Sequence, residues 1–139
     1  MRITKKTITA IACGFSLTMG IVIILVILTM LLPFQVDPYI IFLLSLIIVF
    51  PLIGSRLNRL DGQNKIIGWS FMGVGAQLLV LPLPLLLIIF KLDSPSDLLF
   101  GGIILTGSLV FGVPAGLLAV AAGVFLVKRR QFRINTISK

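Results

Sequence analysis

Four stretches of this chain run without a charged side chain: Ile8 to Leu32, Tyr39 to Gly54, Ile66 to Phe90 and Leu98 to Val127. Little constrains a fold more. A helix rises about 1.5 Å per residue, and a bilayer core of ~30 Å needs about 20 helical residues to cross. In that core each backbone N–H and C=O must be satisfied inside the protein, which a helix does by itself. Charged residues make up 12% of the chain, against about 25% in a soluble domain, and mean hydropathy is +1.20. The 139 residues suffice for one domain. The expected fold is all-α: a polytopic membrane protein of four transmembrane helices in a single domain. The spans are placed at about 8–32, 38–54, 66–90 and 97–127, and a basic tail at 128–139.

The first span follows Met1-Arg2-Ile3-Thr4-Lys5-Lys6, which resembles the basic start of a signal peptide. Its apolar run exceeds the 7–15 residues of a signal core and has no small-x-small site at its end, so it is taken as a span. Ala12-Cys13 faintly resembles a lipoprotein cleavage site, but the longer apolar run lies after it. Pro33 is expected to end the first helix, and the few residues from Pro33 to Pro38 imply an antiparallel hairpin with the second. Asp37 is placed as N-cap and Pro38 at the first helical position, where a missing N–H costs nothing. Pro51 is expected to kink the last turn of the second helix. A polar loop is expected over 55–65, with Asp61-Gly62 as a turn. Pro82 and Pro84 free the carbonyls of Leu78 and Val80, so a bend or local unwinding is expected there. Ser94, Pro95 and Asp97 suit the cap, first and third positions of the fourth helix, which should kink at Pro114.

Charge placement sets the expected orientation. Arg2, Lys5 and Lys6, then Arg56, Arg59 and Lys65, then Lys128, Arg129, Arg130, Arg133 and Lys139 all fall on one side of a four-span layout. Lys91 alone falls on the other, together with Asp37, Asp93 and Asp97. By the positive-inside rule both termini are cytoplasmic, in a plasma, inner or internal membrane. The two halves share a layout, with Pro38 and Pro95, and Ile8 and Ile66, at nearly equal offsets. Few residues match at that offset, so the likeness is read as the ordinary look of two hairpins.

Small residues mark helix faces. Ser108, Gly112, Ala115, Ala119 and Ala122 step by four and three along the fourth helix, and Gly116 and Gly123 widen the stripe. In lipid, small residues let backbones approach so that dispersion contacts can hold helices together. The stripe could meet a partner subunit, a second copy or this chain's own helices. Ala12, Ser16 and Gly20 form a shorter stripe on the first helix, a natural mate for the fourth. Gly68, Gly73, Gly75 and Ala76 do the same in the third. The second helix has only Ser45 and is expected to face lipid. Gln77, the most polar residue at membrane depth, is expected to hydrogen-bond to another helix or to a carbonyl freed by Pro82. Its alternative role is contact with a solute, ion or pigment. Tyr39 and Trp69 suit the interfacial aromatic belt.

The missing groups matter as much. There is no His, no Glu and one Cys, and all four acidic residues are Asp in loops. No ionisable residue lies at membrane depth to mark an ion path. No set of side chains offers haem or zinc ligation, and Asp93 with Asp97 would make a weak cation site. No catalytic residue is identified: a nucleophile would lack a partner base, and an enzyme is not expected. No cofactor is expected either, although carbonyls, Gln77 or water could hold a bound lipid or pigment. The tail residues Lys128, Arg129, Arg130 and Arg133 surround Phe132. Beside a span they suit an anchor to anionic lipid, worth ~1 kcal/mol per basic residue, rather than nucleic acid. The expected function is a non-catalytic accessory subunit of a larger membrane complex, with other membrane subunits as partners. The alternative is a homo-oligomeric channel or transporter for a small neutral or lipid-like solute.

Overall fold

The computed structural model describes residues 4–31 and 36–137, with side chains through Lys128. The described chain is all-helical, and four helices are long and apolar enough to span a membrane: α1 (Lys5–Thr29), α2 (Pro38–Asn58), α3 (Gln63–Ile89) and α4 (Pro95–Lys128). Helical structure continues from α4 to Ile137. α1 ends at Thr29, short of the expected Leu32; Pro33, Arg2 and Lys139 lie outside the described residues, as do the side chains of Arg129, Arg130 and Arg133.

Local chemistry sets the helix ends. Thr4 caps α1, its hydroxyl accepting from the Thr7 amide. Asp37 caps α2 by accepting from the Tyr39 amide at 2.9 Å, with Pro38 in the first turn. Ser94 occupies the cap of α4, but its hydroxyl pairs with Ser96 instead of an amide. The loop expected at 55–65 is much shorter. α2 runs on to Asn58 and α3 starts at Gln63, because charged side chains near a helix end extend into the headgroup region without breaking the backbone. Gly62 makes the turn at φ 95°, a left-handed value that costs glycine least.

At two of the prolines expected to kink their helices, the helix widens. Pro51 and Pro114 follow wide π turns, Ser45–Val49 and Ser108–Gly112. The Phe50 amide donates to the Ser45 carbonyl, and the Val113 amide to that of Ser108. A proline ring clashes with the carbonyl four residues earlier, and a turn closed five residues back makes room for it. In α3 the runs Gln63–Val80 and Pro82–Ile89 join at Leu81, whose torsions stay helical (φ −53°, ψ −39°) and whose amide donates to the Gln77 carbonyl at 2.9 Å.

The helices pack as an open row in the order α2, α1, α3, α4. α3 meets α4 along one side and α1 along the other, and α1 also meets α2. Among the described residues α4 makes no substantial contact with α1 or α2. The α1–α2 seam passes through Ala10, Gly14, Thr18 and Val22, spaced four residues apart and all buried. A Cβ on Gly14 would lie 3.4 Å from the Gly54 Cα, so the two backbones run close. Phe15 and Phe50 stack edge to face across the same seam at 6.4 Å. Ala10, Leu57 and Ile66 join α1, α2 and α3 in a small core beside Cys13 and Ile53.

Candidate functional site

The α3–α4 seam is the tightest part of the molecule, and glycine makes it so. A Cβ on Gly123 would fall 2.5 Å from the Gly68 carbonyl oxygen, and one on Gly75 would fall 2.6 Å from that of Gly116. Gly68 and Gly75 sit two turns apart on α3, as do Gly116 and Gly123 on α4, so two rungs of backbone contact form. All four are buried. Gly112 continues the line toward the Leu78 carbonyl, one of the two that Pro82 and Pro84 free.

This geometry divides the small residues identified from sequence. Gly112, Gly116, Ala119 and Gly123 lie at or beside the α3 contact, whereas Ala115 and Ala122 are exposed. The face that packs is therefore turned away from the one centred on Ala115 and Ala122. On α1, Ala12 and Ser16 are exposed, and the buried stripe is the one through Gly14 and Thr18. The pairing of α1 with α4 does not occur: α3 lies between them. α2 packs through Ile41, Ser45, Phe50, Ile53, Gly54 and Leu57, while Tyr39, Leu43, Ile47 and Leu52 are exposed.

Gln77 crosses between helices. Its Nε2 donates to the Leu17 carbonyl of α1 at 2.8 Å. Gly20 admits it, since a Cβ there would overlap the Gln77 side-chain oxygen. Gly20 thus acts as a socket for an amide, not as part of a helix-packing stripe. Beside this bond a groove of about 240 Å³ opens between α1 and α3, lined by Ser16, Gly20, Ile24, Val74, Gln77 and Leu81 among others. Its wall is almost wholly apolar, and its polar groups are the Ser16 hydroxyl and the Gln77 amide.

The hydroxyls inside helices are mostly satisfied at home. Thr18 donates to Gly14 O and Ser70 to Ile66 O, each at 2.8 Å, and Thr29 donates to Val26 O. Ser108 differs: its Oγ is buried without a hydrogen-bond partner. It lies near the Gly112 Cα side that faces Leu78 O, at the start of the π turn. The sequence contained the signal for this place, because Ser45-Leu46 to Pro51 and Ser108-Leu109 to Pro114 have the same spacing.

Among the described residues no three His, Cys, Asp or Glu side chains come together as a metal site. At the end of the molecule with the Asp61-Gly62 turn, a polar recess of about 250 Å³ lies between residues 61–65 and Leu126. Lys128 is exposed nearby in sequence. No family model, no characterised protein and no solved structure matches this chain. The fold and these sites are therefore the whole basis for a functional reading.

Proposed function

We propose that this chain is a non-catalytic accessory subunit of a larger membrane complex. It lies in the bilayer as two antiparallel hairpins, α1–α2 and α3–α4, with both termini cytoplasmic. The order of the rungs supports the hairpins: Gly68 meets Gly123, Gly75 meets Gly116, and Gly101 meets Ile89. The excess of Lys and Arg at the ends and in the 56–65 segment supports the orientation.

One observation carries the subunit reading. The small residues that the chain does not use for its own packing, Ala12, Ser16, Ala76, Ala115 and Ala122, are exposed on an open row of helices. Small exposed residues at membrane depth give lipid little contact and give a neighbouring helix a close approach. The partners are other membrane subunits, and the basic tail at Lys128, Arg129, Arg130 and Arg133 binds anionic headgroups.

The test is the composition of the native assembly in mild detergent, with Ala115→Leu plus Ala122→Leu as the variant. These positions lie outside the α3 contact, so the fold should survive. Stoichiometric foreign subunits that are lost from the variant support the reading. Particles built only from this chain overturn it. The groove beside Gln77 favours a second reading, a homo-oligomeric carrier or channel for a neutral or lipid-like solute. That reading predicts flux in liposomes that Gln77→Leu alters while assembly persists.

A further inference from the structure

The outer part of the α3–α4 hairpin is bounded by two weak points at one level. On α3 the helical path continues through Leu81, but Pro82 and Pro84 take away two amide donors. On α4 the π turn Ser108–Gly112 precedes Pro114, which takes away one donor. The two points face each other, since Gly112 lies against the Leu78 carbonyl. Both leave polar groups over: Leu78 O loses its usual donor to Pro82, and Ser108 Oγ has no partner.

The packing changes across that level. On the cytoplasmic side of it the glycine rungs lock the backbones together. On the other side, Pro95–Gly107 contains no buried residue. That segment still touches α3, where a Cβ on Gly101 would lie 3.0 Å from Ile89 Cγ1 and 3.1 Å from Leu92 Cδ1. A hydrogen bond from Lys91 Nζ to the Leu31 carbonyl ties this tip to the end of α1.

We infer that residues 82–107 form a rigid tip that swings about a two-point hinge at Leu81-Pro82 and Ser108–Pro114, held against α1 by the Lys91–Leu31 hydrogen bond. The turn in α2 supports the sequence origin of the hinge. The same Ser-Leu-…-Pro spacing at 45–51 produces the same five-residue turn and the same amide-to-serine bond in a different packing environment. The turn thus accompanies this spacing at both places where it occurs. When the tip moves, the outer end of the α1–α3 groove, at Leu78 and Leu81, changes shape.

Spin-label distances in lipid nanodiscs test this, in a Cys13→Ser background. Three pairs are compared: Trp69→Cys with Leu99→Cys across the hinge, Trp69→Cys with Leu117→Cys below it, and Leu83→Cys with Phe100→Cys within the tip. All five positions are exposed. A swing of about 20° on a lever of roughly 13 Å from Ser108 to Leu99 displaces the label by about 4 Å. The across-hinge distribution should be broader by that amount than the other two. Lys91→Met should broaden it further, and Pro82→Ala with Pro114→Ala should narrow it. An across-hinge distribution as narrow as the one below the hinge overturns the inference, and this comparison needs no hinge variant to fold. A broad distribution within the tip overturns it too, and so does a proline double variant that folds and leaves the width unchanged.

Discussion

Gly123→Ala tests the central claim about how this chain holds together. The added Cβ would sit 2.5 Å from the Gly68 carbonyl oxygen, where ordinary contact begins at 3.4 Å, so about 0.9 Å must be found. The Met72 side chain is also within reach and can move, but a backbone carbonyl can yield only if α3 and α4 separate. A radial gap of 0.5–1 Å forfeits roughly a quarter to a half of each dispersion contact along the seam. Overpacking of this kind typically costs about 1–3 kcal/mol. Alanine returns up to ~1 kcal/mol in helix propensity over glycine, which leaves a net loss of about 0–2 kcal/mol. Gly107→Ala is the matched control, because nothing lies within 4 Å of its Cβ position. It should be neutral or more stable by up to ~1 kcal/mol. Unfolding in mixed micelles by added SDS, followed by far-ultraviolet circular dichroism, measures both. Gly75→Ala combined with Gly123→Ala should cost less than the sum of the two, since one separation relieves both rungs. If Gly123→Ala is as stable as Gly107→Ala, the backbone seam is not what holds α3 to α4.

Gly20→Ala should destabilise through its overlap with Gln77, and Gln77→Ala should lose only the bond to Leu17 O, ~0.6 kcal/mol. The double variant should then recover stability, with a coupling of about 1 kcal/mol or more in the same unfolding assay; strictly additive losses would remove Gly20 as the socket. For orientation, Ser94→Cys should react with an impermeant thiol reagent applied outside intact cells, and Asp61→Cys should react only after permeabilisation. The reverse pattern would invert the proposed topology. Asp37→Ala should remove the α2 cap and cost ~1 kcal/mol, whereas Ser94→Ala should cost less, because its hydroxyl faces Ser96 instead of an amide.

The spans could be read from the sequence because a run free of charge leaves the backbone no alternative inside a bilayer. The turn at Gly62, the cap at Asp37 and the presence of irregular turns near Pro51 and Pro114 were legible for equally local reasons. The packing face was not. Spacing by four and three along α4 treats Ala115 and Ala122 as equals of Gly116 and Gly123. At a membrane seam the difference is one methyl group, and it decides whether a carbonyl of the facing helix can approach. The glycines alone, at 68, 75, 116 and 123, keep a strict two-turn spacing on both helices, and those are the positions that meet. Gln77 and Gly20 could not be paired from sequence, because their contact depends on α1 lying beside α3. Nor does hydropathy reveal an open row in place of a closed bundle, since a residue facing lipid and a residue facing a helix are equally apolar. The same reasoning makes the exposed alanines informative. With α4 already packed on α3 through glycine, Ala115 and Ala122 lie exposed outside that contact, which is why the proposed partner helix is tested at those two positions.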